Sequence, residues 1–193
     1  MKKQVRQGIL TKIARLRRDQ RGISAIEFAF VFPIMVILYL GATALTQGIV
    51  IKRKVTLATR TVGDLVSQYT TIANSDIQSI LTAATTVIQP YSTSLIAIVV
   101  SSISIDANGN ATVAWSQATS NTTALTKNSS VTLPAGIGGT ANANTTIIWA
   151  QGSYVYTLPV GSTIVGHTSM TLSDQFYLRP RRVTSVACTA TGC

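Results

Sequence analysis

The chain has 193 residues, enough for one compact domain with an extension. Only 11% of its residues are charged, less than half of the roughly 25% found in ordinary soluble domains, while 46% are hydrophobic. This composition argues against intrinsic disorder, which requires low hydrophobicity and high charge, and it indicates a membrane segment.

The net charge of +10 is concentrated at the N-terminus. Residues 1–22 form a basic leader with eight of the 16 basic residues and a single acid, Asp19, so that the leader alone carries a charge of +7. A nucleic-acid interface would spread its basic residues over one face of a folded domain. The clustering at one end of the chain therefore argues against a nucleic-acid partner.

An apolar run without a single charge, residues 28–51, follows the leader. As a helix it would be about 36 Å long, enough to cross a hydrocarbon core of about 30 Å. We therefore predict a transmembrane helix over 23–51 with its N-terminus in the cytoplasm, because basic residues are in excess on that side. The triplet Ala42-Thr43-Ala44 also fits a signal-peptidase site, so secretion after cleavage at Ala44 stays open as an alternative.

Glu27 is a lone acid at the start of this apolar stretch, between Ile26 and Phe28. A carboxylate near lipid is unfavourable unless it has a partner, and intramembrane acids commonly have a function. The other interpretation is a side chain that reaches the headgroup boundary, helped by Arg21 nearby. The sequence alone leaves both interpretations open.

Beyond the apolar run, hydrophobic residues continue at helical spacing. The stripe consists of Ile51, Val55, Ala58, Val62, Leu65 and Tyr69. Spacings of three and four residues place them on one side of a helix that would extend from 23 to about 70. This stripe would pack on the chain's own domain or contribute to contacts between subunits. Arg60 and Asp64, on another side, are one turn apart and can pair.

A second helix is predicted before Pro90, which would end it. Ser75 and Gln78 fit a capping box at its start. Its apolar face consists of Ile77, Ile80, Leu81, Ala84, Val87 and Ile88. Residues 52–90 are thus an amphipathic helical region.

From residue 91 onward, the sequence becomes rich in β-branched residues and turn signals. Strands are predicted at 95–105, 111–116, 130–133, 145–158, 168–178 and 183–187. Residues 106–110 are the turn between the first two strands, Gly152 marks a bulge in the fourth, and the last is an edge strand. Residues 117–144 form a long loop around the short strand. The expected fold is α+β, in which 91–193 form an antiparallel sheet domain covered by one or two helices.

The start of the apolar run resembles the processing site of type IV prepilins, in which a membrane aspartyl peptidase cuts after a glycine. Here the basic leader ends in Gly22, and the pair Glu27-Phe28 begins five residues later. Residues 22–29, followed by Val31-Phe32-Pro33, are similar to the TadE-like pseudopilins, which are minor subunits of the Tad (tight adherence) pilus apparatus.

The resemblance is good over residues 17–58 and thinner beyond them. Residues 154–159 and 176–181 are similar to late segments of TadE- and TadG-like chains. Many family members carry a second acid late in the apolar helix, but this chain has none over 40–45. Any role of that second acid therefore does not carry over.

The resemblance implies a non-enzymatic minor pilin or pseudopilin whose leader a prepilin peptidase removes between Gly22 and Ile23. Cleavage would leave Ile23 with a free α-amino group, one helical turn from Glu27. In type IV-like filaments the carboxylate at this position is thought to pair with the N-terminal amine of a neighbouring subunit. Glu27 and Phe28 are therefore the expected assembly residues.

The same resemblance implies a location and a set of partners. The chain would be anchored in the bacterial inner membrane, with its C-terminal domain in the periplasm or outside the cell. Its partners would be the prepilin peptidase, the other Tad pilus subunits and the assembly platform. Its contribution would be to pilus assembly, surface adherence or secretion.

Two other functional classes fit the sequence. One is a single-span, membrane-anchored protein whose outward domain binds a surface ligand. The other is a pseudopilin of a type II secretion system, against which stand the pair Glu27-Phe28 after so long a basic leader and the lack of a calcium-loop signature.

The rest of the sequence contains no pattern typical of catalysis, of a cofactor or of a metal. His167 is the only histidine, and no cysteine or carboxylate cluster accompanies it, whereas a metal site needs three or four ligands. Phosphate-binding loops, nucleophile elbows and paired carboxylates do not occur. We therefore expect no enzymatic activity.

Two features near the C-terminus remain. In an oxidising compartment Cys188 and Cys193 are expected to form an intramolecular disulfide, with free thiols or a bridge to another chain as alternatives. Residues 179–182, Arg-Pro-Arg-Arg, form a second basic cluster. It is either an exposed turn after a strand or an electrostatic docking point for another pilus component.

Overall fold

The computed structural model describes residues 21–158 and 169–189. A 47-residue helix, α1 (Arg21–Ser67), contains the apolar run and ends close to the predicted position. The chain divides into two compact units, residues 1–44 and residues 45–193. Most of the leader, His167 and Cys193 lie outside the described residues.

The unit of residues 45–193 contains the end of α1, a second helix and, in the part of the chain that the structure describes, seven strands. They are β1 (Thr71–Ile72), α2 (Asn74–Thr86), β2 (Ile96–Ile105), β3 (Ala111–Ala118), β4 (Ser130–Val131), β5 (Thr146–Thr157), β6 (Ser169–Leu178) and β7 (Ala187–Cys188). The fold is α+β, as the sequence predicted.

Five strands form one antiparallel sheet in the order β4-β3-β2-β5-β6. The long strands β2 and β5 lie next to each other at its centre, paired from Ile96↔Tyr154 to Ser104↔Thr146. Their β-branched residues fill both sides of the sheet, which suits strands that have neighbours on both edges.

The prediction of an edge strand at 183–187 is wrong. The strand β7 covers Ala187–Cys188 and pairs in parallel with β1, apart from the main sheet. The indole Nε1 of Trp115 donates to the carbonyl of Val186 (2.8 Å), and the amide of Thr189 donates to the carbonyl of Ile72 (3.1 Å). These bonds hold the C-terminal segment beside β1, at the end of α1.

The apolar stripe of α1 packs on the chain's own sheet and on α2, which confirms one of the two predicted uses. Its fully buried side chains are Ile51, Val55, Ala58, Val62 and Val66. The inclusion of Leu65 was wrong, because Leu65 is 39% exposed and Val66 takes the buried position. Since a helix turns once in 3.6 residues, Val66 lies one turn after Val62, whereas Leu65 is rotated towards solvent.

Gly152 allows α1 to lie close to the sheet. A Cβ atom at Gly152 would come within 1.9 Å of the Thr59 hydroxyl oxygen, and one at Gly63 within 2.5 Å of a Leu178 methyl carbon. The predicted bulge at Gly152 is wrong, since β5 pairs in continuous register on both sides of it. The irregularity lies between Ser102 and Ile103, in the pairing of β2 with β3.

The ends of α2 differ from the prediction. The helix begins at Asn74, so the predicted capping residues Ser75 and Gln78 lie inside it. The N-cap is Ala73, whose amide donates to the Asp76 carboxylate (3.4 Å). At the other end, α2 stops at Thr86, and Lys54 of α1 donates to the carbonyls of Val87 (2.9 Å) and Gln89 (2.8 Å). A cation at this end satisfies carbonyls that the helix leaves unpaired and interacts favourably with the helix dipole.

Candidate membrane anchor and assembly site

The N-terminal part of α1 is apolar and exposed on every side. Residues 22–39 are all exposed, with Phe30 at 75% and Leu38 at 67% of their full accessible surface. Side chains on one face of a soluble helix would be covered by protein, but here none of the most hydrophobic window is buried. By length and composition this helix can cross a membrane.

The predicted processing and assembly residues lie at the start of this apolar segment. Gly22, Ile23, Glu27 and Phe28 belong to α1, and their side chains are exposed. Glu27 follows Ile23 by four residues, so the two lie on the same side of the helix, one turn apart. Among the described side chains, none forms an ion pair with Glu27. The ring of Phe28 packs on Phe32, with centroids 5.4 Å apart.

In the unit of residues 45–193, polar contacts fasten α1 to the edge strand β6. Asp174 accepts a hydrogen bond from the Thr56 hydroxyl, and its Oδ2 lies 3.5 Å from Nζ of Lys52. Burial of Asp174 opposes ionisation, but the hydrogen bonds from Thr56 and from the Gln175 amide, together with Lys52, outweigh it and lower the pKa of the Asp174 carboxyl. Lys52 also donates to the carbonyl of Ser173.

The basic cluster 179–182 is largely engaged within the chain. Nη2 of Arg181 lies 2.7 Å from a carboxylate oxygen of Asp64, and the amide of Arg181 donates to the carbonyl of Ser67 (2.9 Å). The Arg181–Asp64 contact replaces the predicted pairing of Arg60 with Asp64. Arg179 donates to the side chain of Asn142. The cluster therefore fixes the chain after β6 to the end of α1 and to the 117–144 loop.

The remaining predicted sites fall partly outside the described residues. Cys188 lies in β7, but Cys193 does not belong to the described residues, so their pairing remains a prediction. His167 also lies outside the described residues, so the absence of metal ligands around it stays a prediction. Among the described residues, no group of three or more His, Cys, Asp or Glu side chains is arranged to hold a metal ion.

The sheet face turned away from α1 has two different halves. Near the 106–110 turn it is covered by the 117–144 loop, which closes a second hydrophobic core. The buried members of this core are Ile103, Ile105, Ala111, Val113 and Ile147. Towards the other end of β2 the same face is open, and it forms a cavity of about 540 Å³.

This open cavity, the outer cleft, was not anticipated from the sequence. Its lining includes Val99, Thr122, Gln151, Ser153, Ser173 and Gln175. Three of them lie in one row across the strands, because Gln151 pairs with Val99 on one side and with Gln175 on the other. The sequence feature that could have indicated this cleft is the polar residues at alternate positions of β5 and β6. Only the strand register shows that these residues lie side by side.

Together these features define a class of protein: a chain with one exposed apolar helix that continues into an α+β domain, suited to single-pass membrane anchoring. Residues 22–64 match the family model described as TadE-like protein, which confirms the resemblance over that segment. Over this segment the chain is thus similar to the TadE-like family, which is associated with the Tad pilus. No curated protein and no solved structure matches the chain.

Proposed function

We propose that this chain is a non-enzymatic minor pilin or pseudopilin of a Tad-type pilus. The observation that carries the proposal is the position of Glu27, which lies on an exposed apolar helix one turn after Ile23, inside the TadE-like segment. A prepilin peptidase cuts after Gly22 and removes the leader, whose charge of +7 would otherwise hold the N-terminus at the cytoplasmic face.

Assembly then depends on a pairing of opposite charges. The new α-amino group of Ile23 in one subunit binds the Glu27 carboxylate of its neighbour, and Phe28 packs beside it. A carboxylate in a low-dielectric environment is strongly unfavourable without a partner, so the pairing selects the docked position. The helix anchors the chain in the inner membrane, and the domain after it lies in the periplasm or outside the cell, where it contacts other pilus subunits and the assembly platform.

The first experiment asks whether the leader is removed. The chain is expressed with the other Tad components, extracted from membranes and analysed by mass spectrometry of its N-terminus. We expect Ile23 as the first residue. An intact leader in the presence of the peptidase contradicts the proposal and favours a single-span, membrane-anchored binding protein, whereas cleavage after Ala44 indicates simple secretion.

The second experiment asks whether Glu27 serves in assembly. Glu27→Gln keeps the shape of the side chain and removes its charge, and Ser24→Ala, three residues earlier on the same side of the helix, is the control without a change of charge. Both variants should insert into the membrane, but only Glu27→Gln should fail to co-purify with the other pilus subunits. If processed Glu27→Gln co-purifies normally, Glu27 only places its side chain at the headgroup boundary and has no role in assembly.

An outward location also predicts the intramolecular disulfide between Cys188 and Cys193. Peptide mapping without reductant should find the two residues linked within one chain. Recovery of both as free thiols from cell envelopes would count against the proposed topology.

The alternative of a type II secretion pseudopilin is distinguished by its partners. Such a protein would co-purify with components of that secretion system rather than with Tad subunits. The TadE-like match over residues 22–64 favours the Tad assignment.

A further inference from the structure

We propose that the outer cleft is a binding site for a neutral glycan, separate from the assembly role of α1. The cleft lies over the middle of the sheet, on the face opposite to α1. Its volume of about 540 Å³ falls within the range of about 300–1,000 Å³ typical of small-ligand sites.

A buried amide in the cleft has no protein partner. Nε2 of Gln151 is shielded from solvent, and no described group accepts a hydrogen bond from it. A polar sheet face that simply contacts water would leave such a donor exposed and hydrated. A buried donor without a partner is unfavourable and rare, so the Gln151 side chain, which lines the cavity, would gain a hydrogen bond by turning its amide towards a ligand there.

Apart from Asp174, the other polar side chains in the cleft are neutral and are arranged in rows. Ser153 pairs in register with Ser173, and Gln151 with Gln175, so four hydrogen-bonding side chains lie on neighbouring strands of one face. Each of these groups can both donate and accept. Asp174 also lines the cavity, but its carboxylate binds Thr56 and Lys52 of α1, and the other lining side chains carry no charge. Paired donors and acceptors without charge fit the hydroxyl groups of a neutral sugar.

An aromatic pair borders the cleft in the next row of side chains across β5 and β6. Trp149 and Tyr177 pair in register and stack, with ring centroids 5.6 Å apart and planes inclined by 15°. Nε1 of Trp149 and the hydroxyl of Tyr177 both donate to Oε1 of Gln175, at 3.3 and 3.4 Å. These bonds fix the Gln175 amide with its nitrogen free to donate, so part of the site is ordered before a ligand arrives.

The position of the cleft favours a glycan over an extended peptide. A peptide that adds a strand binds the free backbone groups of a sheet edge. Here the centre of the cleft is β5, whose backbone already pairs with β2 and β6. A ligand in the cleft must therefore be held by side chains. The lack of a cation in the lining further predicts that sialylated and sulfated glycans bind less well than neutral ones.

The test uses the full chain in detergent. The labelled protein is applied to an array of neutral hexose and N-acetylhexosamine oligosaccharides, with sialylated and sulfated counterparts and unrelated peptides alongside. The affinity of the strongest neutral glycan is then measured by titration calorimetry for the parent and for Ser173→Leu, which fills the cleft. Thr171→Leu is the matched control, since Thr171 lies two residues away on the same face of β6, is equally exposed and lies outside the cleft lining.

We expect a neutral glycan to bind, Ser173→Leu to weaken it by about tenfold or more, and Thr171→Leu to change it by less than about twofold. An unfolding midpoint equal to that of the parent establishes that a variant folds. If the midpoint of Ser173→Leu is lower, Gln151→Ala is used in its place. The proposal is overturned if no neutral glycan binds, if charged glycans or peptides bind better, or if the cleft variant and the control weaken binding equally.

Discussion

The two parts of α1 differ in where their apolar residues lie. Over residues 22–39 apolar side chains are found on every side of the helix and are exposed. From Ile51 to Val66 most of them follow one side and are buried, whereas Arg53, Leu57 and Arg60 are exposed. One continuous helix therefore has a uniform apolar surface in one part and an amphipathic surface in the other.

This difference teaches how one element serves two environments. An all-round apolar helix is stable only where something other than water surrounds it, such as lipid or neighbouring helices. An amphipathic helix needs only one covered side, which its own domain supplies. Four predictions test this comparison, from the largest expected effect to the smallest.

The largest effect is expected from one substitution made in both parts of α1. Leu38 and Leu57 are similarly exposed, at 67% and 56%. Leu38→Lys should oppose membrane insertion by about 3 kcal/mol, because Lys is unfavourable at the centre of a spanning helix. Leu57→Lys should leave insertion and folding almost unchanged. Alkaline extraction of membranes measures the anchored fraction, and equal extraction of both variants would contradict the division of α1.

The next effect concerns the close approach of α1 to the sheet. Gly152→Ala should destabilise the domain by about 2–3 kcal/mol, since the new Cβ would overlap the Thr59 hydroxyl. Thr59→Ala in the same chain should restore part of that loss. Gly48→Ala, whose Cβ would meet Tyr156 at an ordinary 3.6 Å, is the control. Thermal unfolding in detergent measures all three, and an unaffected Gly152→Ala would mean that the helix lies farther from β5.

A smaller effect is expected from the contact between α1 and the end of α2. Lys54→Ala removes two hydrogen bonds to the carbonyls of Val87 and Gln89 and should lower the free energy of unfolding by about 1–2 kcal/mol. Arg53→Ala changes an exposed neighbour of the same charge and should have little effect. Denaturant unfolding followed by circular dichroism compares the two, and similar midpoints would show that Lys54 is not stabilising.

The smallest effect is a dependence on pH. Because the pKa of Asp174 is lowered by folding, its carboxylate stabilises the domain at pH values above its unfolded pKa of about 3.9. That contribution is lost as the pH falls through the lower, folded pKa. The stability difference between the parent and Asp174→Asn, below about 1 kcal/mol, should be constant above pH of about 5 and shrink below about 4. If the stability difference between the parent and Asp174→Asn does not depend on pH, the charge of Asp174 is not its cause.

Periodicity predicted the regular parts of this fold. The spacing of Ile51, Val55 and Val62 placed these side chains on one side of α1, and the alternating and β-branched runs placed the long strands within a few residues. These signals are local, since each repeats within one element. The strand pairs that the sequence did not predict, such as Thr71–Ile72 with Ala187–Cys188, are too short to have a period, and their partners are remote.

The sequence points to a candidate site only where a motif marks it. Gly22 and Glu27 follow a recognisable spacing, whereas the outer cleft depends on the register of three strands. A glycine inside a strand fits either a bulge or a close approach of another element, and at Gly152 only the position of Thr59 decides between them. The capping residue was misplaced for a related reason, since Ser75, Asp76 and Gln78 all offer polar side chains near the start of α2.

The contacts that hold α1 on its domain join residues far apart in the chain, and this sets the order in which the protein can fold. Thr56 meets Asp174 after 118 residues, and Asp64 meets Arg181 after 117. If α1 forms first, β5 and β6 become available only late, and the part of α1 that they cover stays exposed until then. Folding that waits for such distant contacts is slow and leaves apolar surface open to aggregation.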